Sequence, residues 1–70
     1  MLGTVRWFDV RRGFGFIVPD DGGPDVFLYR TVLHAAGRKR LDPGQRVEYE
    51  AEETPRGRKA TRVAIISSSA

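Results

Sequence analysis

Apolar and polar positions alternate with a period of two along most of the chain, and glycine- and proline-rich segments interrupt the alternation at short intervals. Period two marks β-strands, whose successive side chains point to opposite faces. Residues 2–9, rich in β-branched and aromatic side chains, read as a first strand. Val10-Arg11-Arg12-Gly13 makes a short turn in which Gly13 is free to take a positive φ. A second strand covers 14–18 and ends at Pro19, and the turn formers Asp20-Asp21-Gly22-Gly23-Pro24 lead into a third over 25–29. In a fourth, 45–53, Val47, Tyr49 and Ala51 alternate with Glu48, Glu50 and Glu52. The turn Thr54-Pro55-Arg56-Gly57 precedes a fifth, 58–66, which sets Ala60, Arg62, Ala64 and Ile66 opposite Lys59, Thr61, Val63 and Ile65. Between strands three and four, Thr31 to Ala36 fits one helical turn with Thr31 as its cap and Gly37 as its stop. A basic loop, Arg38-Lys39-Arg40, and the turn Leu41-Asp42-Pro43-Gly44 follow. Residues 67–70 read as a frayed tail, leaving 1–66 as one domain.

Five short strands without a long helix predict an all-β fold, a small closed antiparallel barrel. Length supports this. Seventy residues lie near the lower limit for a domain that folds alone. With no cysteine to supply a disulfide or thiolate site, the few apolar residues must be wrapped efficiently.

Two strands carry apolar side chains on both faces. In Phe14-Gly15-Phe16-Ile17, Phe14 and Phe16 share one face while Gly15 and Ile17 share the other. Val26-Phe27-Leu28-Tyr29 repeats the arrangement, with Val26 and Leu28 opposite Phe27 and Tyr29. A chain this short has no second layer to cover the extra face. If Gly15, Ile17, Val26 and Leu28 form the core, the rings form an outward platform. Glycine between the rings keeps the surface low, so that a flat ligand can approach the backbone. Rings interleaved with Arg6, Arg11 and Arg12 suit base stacking and phosphate contact, and so single-stranded nucleic acid. The other reading makes these aromatics core residues of ordinary strands.

The net charge of +3 is a weak indicator, but its distribution is uneven. Cations gather at Arg6, Arg11 and Arg12, at Arg38 to Arg40, and at Arg56, Arg58, Lys59 and Arg62. Acids gather at Asp20-Asp21 and along Glu48, Glu50, Glu52 and Glu53. This predicts a basic and an acidic face. The Arg38-Lys39-Arg40 run fits a phosphate track and a solvated loop equally well. Catalysis is not indicated: His34 is the single histidine, no cysteine is present, and the serines at 67–69 lie in the tail. Asp20, Asp21 and Asp25 around Gly22-Gly23-Pro24 read as a turn rather than a cation site, so neither metal nor cofactor is expected. No stretch approaches the roughly 18 apolar residues of a membrane span. Without an apolar signal core or cysteines, the chain reads as cytoplasmic.

The order Arg6-Trp7-Phe8, Arg12-Gly13-Phe14-Gly15-Phe16-Ile17 and Val26-Phe27-Leu28-Tyr29, with Gly44-Gln45-Arg46-Val47 at the entry to strand four, resembles the bacterial cold-shock proteins. The resemblance spans nearly the whole chain. It implies a five-stranded antiparallel OB-type barrel binding single-stranded RNA and DNA, often as an RNA chaperone or antiterminator, and usually monomeric. By position it implies stacking by Trp7, Phe8, Phe14, Phe16 and Phe27, and backbone contact by Arg6, Arg12 and Arg56. Three departures stand out. Tyr29-Arg30 replaces the usual histidine and phenylalanine, Arg38 replaces a loop aromatic, and Asp9 replaces an asparagine beside Trp7. Tyr29 keeps a ring, and the guanidinium planes of Arg30 and Arg38 can stack in place of rings. A platform with fewer rings and more cations should be more salt-sensitive. Strict alternation leaves one conflict: Val5 and Trp7 would share a face, although one belongs to the core and the other to the platform. A bulge in the first strand would resolve it. The alternative function is a barrel whose aromatic face docks a protein partner or a second copy of itself.

Overall fold

The computed structural model describes residues 1–66, and the predicted tail, 67–70, lies outside them. Five strands form: β1 (Leu2–Asp9), β2 (Phe14–Pro19), β3 (Val26–Tyr29), β4 (Arg46–Thr54) and β5 (Gly57–Ile65). A short helix, α1 (Arg30–Ala35), joins β3 to β4. The strands close into a barrel in the order β1-β2-β3-β5-β4. Neighbours run antiparallel except at the β3–β5 seam, where Phe27 and Lys59 form a parallel bridge. No helix among the described residues is long and apolar enough to cross a membrane.

The core is drawn from every element. Val5, Ile17, Leu28, Leu33, Val47 and Tyr49 are almost wholly enclosed, and no charged residue is buried with them. Ile17, Val26 and Leu28 occupy the inward faces of β2 and β3, as the alternation predicts.

Two bulges decide which side chains face inward. The β1–β2 register pairs Val5 with Ile17 but Trp7 with Phe16, so Arg6 is the extra residue. This resolves the parity conflict: Val5 is buried, and Trp7 emerges on the other face. A second shift pairs Glu50 with Arg62 but Ala51 with Ala60, leaving Thr61 unpaired. Ala60 and Val63 can therefore both be buried. The strict alternation read for β5, which put these two on opposite faces, is corrected by that bulge.

The helix also differs from expectation. Its N-cap is Tyr29, in extended conformation and without a side-chain cap bond, whereas Thr31 lies inside the first turn. The stop is as read. Gly37 takes φ +78°, its N–H donates to the His34 carbonyl at 2.9 Å, and the Arg38 N–H donates to that of Leu33 at 3.0 Å. Leu33 anchors the helix in the core.

Away from the platform strands' outer face, two aspartates tie down the β2–β3 loop. Arg46 grips Asp20 through two hydrogen bonds of 2.7 Å and reaches Thr4 Oγ1 at 3.0 Å. Arg58 reaches Asp21 at 3.3 Å. The Arg46 bonds hold the Asp20 carboxyl below the usual carboxylate range. The Gly23 N–H, followed by Arg58, does the same for Asp21.

Candidate nucleic-acid interface

Five of the seven aromatic residues meet in one cluster on the outer face of β1, β2 and β3. Cross-strand pairing builds it: Trp7 lies opposite Phe16, Phe16 opposite Phe27, and Phe14 opposite Tyr29. Trp7 meets the edges of Phe14 and Phe16 at centroid distances of 5.6 and 5.3 Å. Phe27 lies nearly parallel to Phe14, 5.2 Å away at 12°, and meets Phe16 edge-on at 5.3 Å. Tyr29 ends the row 4.5 Å from Phe27. Trp7, Phe14, Phe16 and Phe27 are half-buried, whereas Tyr29 is exposed. Mutual packing fixes the rings while their outer surfaces stay open, so little side-chain entropy remains to be lost when a flat ligand stacks.

The other two aromatics contact the core. Tyr49 is buried, and half-buried Phe8 packs against the core. The resemblance placed Phe8 with the stacking rings; here it takes no part in their mutual contacts. The same packing gives Gly15 a structural role. A Cβ there would come within 2.7 Å of the Phe8 Cα and 2.8 Å of its Cδ2. Glycine lets β1 and the Phe8 ring close over β2. Gly13, at φ +76°, lies under the Arg30 side chain, where a Cβ would meet Cδ at 2.9 Å.

Cations surround the cluster, but several already have partners. Arg6, displaced by the bulge, binds Asp25 through Nε at 2.8 Å. Arg12 lies 3.7 Å from Asp9. Asp9 is occupied by the turn itself: its Oδ1 accepts the N–H groups of Arg11 and Arg12 at 2.9 and 3.2 Å. Its charge is therefore spread over the β1–β2 turn rather than presented to Trp7. Arg30 and Arg38 are exposed, and their side chains make no ion pair among the described residues. Arg56 sits in the β4–β5 turn and helps line a cleft with Phe27 and Tyr29. The predicted acidic and basic faces are thus partly cross-paired.

Lys59 was counted among the clustered cations but not read as a neighbour of the rings. Its Nζ lies 5.0 Å from the Tyr29 ring centroid, within cation–π range. Its place beside Ala60 in an alternating strand, next to the Arg56 turn, was the available signal.

A family model described as the 'Cold-shock' DNA-binding domain matches residues 1–66. The chain belongs to the cold-shock domain family. It is 45% identical over 64 residues to a probable cold shock protein A of Mycolicibacterium smegmatis, covering 91% of this chain and 96% of that one. A cold shock-like protein CspA of Shewanella violacea is 46% identical over 64 residues, covering 91% of each chain. A lin-28 homologue of Drosophila melanogaster is 44% identical over 62 residues, 89% of this chain but 32% of that longer protein. Cold-shock domains bind nucleic acid, and the surface ring cluster fits that activity. The five-stranded barrel agrees with the OB-type fold of the family.

Proposed function

We propose that this cold-shock domain binds single-stranded RNA or DNA by stacking bases on Trp7, Phe14, Phe16, Phe27 and Tyr29, and that it acts as an RNA chaperone or antiterminator. The observation that carries this reading is the cluster itself: five mutually packed rings with open outer surfaces, bordered by Arg12, Arg30, Arg56 and Lys59. Each base stacked on an aromatic ring contributes about 1–3 kcal/mol, so three or four stacks outweigh the cost of ordering a short strand. Duplexes enclose their base faces and cannot use the platform in this way. Chaperone activity follows from the same difference: a protein that binds only open strands shifts a hairpin equilibrium toward the open form.

Arg6 enters in a particular way. Held by Asp25, it reaches a phosphate by exchanging one anion for another. It therefore contributes less to affinity than its position beside Trp7 implies. Arg12, Arg30, Arg56 and Lys59 are the cations expected to give the salt dependence. Four phosphate contacts correspond to a slope of about −3 in log affinity against log salt on a single strand.

The test is Trp7 fluorescence during titration with a short unstructured oligonucleotide and a matched duplex, at several salt concentrations. The expected result is saturable quenching by the single strand, weak response to the duplex, and a slope between about −2 and −3. Absence of quenching by any open strand of either sugar type would overturn the reading and favour a protein-docking role for the ring face.

A further inference from the structure

The row of rings ends at Tyr29, and beyond it lies a cleft. Tyr29 touches only Phe27 within the cluster, and no other aromatic among the described residues continues the row. The cleft encloses about 330 Å³ and is lined by Phe27, Tyr29, Pro55, Arg56, Arg58 and Lys59, with Thr54 completing it. That is at the lower end of the roughly 300–1,000 Å³ usual for small-ligand pockets, room for one nucleotide. Its lining includes two aromatic rings, three cations and no acidic residue.

The three cations are not equivalent. Arg58 is engaged by Asp21 at 3.3 Å and by Glu53 at 3.6 Å. Arg56 and Lys59 form no ion pair among the described residues. The Arg56 backbone is held by the Thr54 hydroxyl, at 3.2 Å, within the β4–β5 turn. Lys59 stands over the Tyr29 ring, where a stacking base would meet it.

We propose that this cleft receives the phosphorylated end of a strand, with the terminal base against Tyr29 and the phosphate monoester between Arg56 and Lys59. The inference rests on the single-strand reading above. An internal phosphodiester carries one negative charge, whereas a terminal monoester, with a second pKa near 6, carries about −1.5 to −2 at neutral pH. Two lining cations without ion pairs among the described residues, where the rings stop, match the dianion better than the diester. Either strand end supplies that chemistry.

The experiment compares oligouridines of about six nucleotides, within the span one such barrel covers. They carry a 5′-phosphate, a 3′-phosphate or neither, and binding is read by Trp7 quenching. The expected result is about fivefold tighter binding for one phosphorylated end, the yield of one or two partly exposed ion pairs. That advantage should fall to less than about twofold in Lys59→Gln and in Arg56→Gln. It should persist in Arg62→Gln, which removes an equal charge from the groove beside α1. Circular dichroism checks that each variant is folded. Equal affinity of all three strands for the parent protein, with quenching intact, overturns the inference and leaves the single-strand reading standing. So does an advantage that survives in both cleft variants. Failure of every strand to quench Trp7 overturns the single-strand reading instead.

Discussion

Phe27→Ala is the most informative single substitution, because Phe27 is the ring through which the others communicate. It stacks on Phe14, meets the edge of Phe16 and supports Tyr29 at 4.5 Å. Removing it deletes one stacking surface and leaves Tyr29 without a ring neighbour. One lost stack costs about 1–3 kcal/mol of binding, a 5- to 150-fold loss of affinity. The folding cost must be separated from this. Truncating a fully buried phenylalanine costs about 3–5 kcal/mol, and Phe27 is half-buried, so about 2 kcal/mol is expected. A domain of 70 residues has roughly 4–10 kcal/mol of stability, so the variant remains folded at room temperature. Trp7 packs on Phe14 and Phe16, not on Phe27, and so remains a usable reporter. The assay is Trp7 quenching by an unstructured single strand, with a thermal melt of the same sample. A variant that melts cooperatively yet binds within twofold of the parent would refute the claim that stacking on this row provides the affinity.

Three further outcomes concern the barrel. Gly15→Ala should lower stability by about 1–3 kcal/mol, read as an earlier denaturation midpoint, because the new Cβ would press on the Phe8 backbone and ring; an unchanged midpoint would contradict the tight β1–β2 approach. Asp20 and Asp21 have folded-state carboxyl pKa values below their unfolded values, so their contribution is full above about pH 4 and is lost as pH falls through the folded values. The melting temperature should therefore drop on acidification below about pH 4, and Asp20→Asn should flatten that drop; superimposable profiles would exclude the Arg46 pair as its source. The Tyr49 hydroxyl is buried without a hydrogen-bond partner among the described residues, and burial pushes its pKa up. Tyr49→Phe should raise the melting temperature by a few degrees, at about 4–8 °C per kcal/mol for a domain of this size, and a fall would show that the hydroxyl is satisfied after all.

The fold was legible where local chemistry decides it. Turn residues marked every strand boundary to within one or two positions, and two-faced strands announced a platform because so short a chain has no second layer. Legibility failed where a single extra residue changes parity. The Arg6 bulge could be required by the conflict between Val5 and Trp7, but the Thr61 bulge had no such contradiction to reveal it. The ring cluster was readable ring by ring, whereas the contact of half-buried Phe8 with the core, beside Gly15, was not. Cation availability was not readable at all. Arg6 and Asp25 lie 19 positions apart and Arg58 and Asp21 lie 37 apart, and only closure of the barrel brings them together.

The β3–β5 seam has a mechanical meaning. Every other junction of the barrel is a ladder of several residue pairs, whereas this one is bridged by Phe27 and Lys59 alone. The barrel is thus a hoop whose β3–β5 join has one ladder bridge, and that bridge lies within the proposed ligand-facing surface. A strand that touches the Phe27 ring on β3 and the Lys59 ammonium on β5 acts as a strap across the join. Its binding energy then resists opening at that join, contributing about 2.7 kcal/mol when ligand exceeds its dissociation constant a hundredfold. Amides flanking the seam should accordingly gain the largest hydrogen-exchange protection on binding, ahead of those in the long β4–β5 ladder.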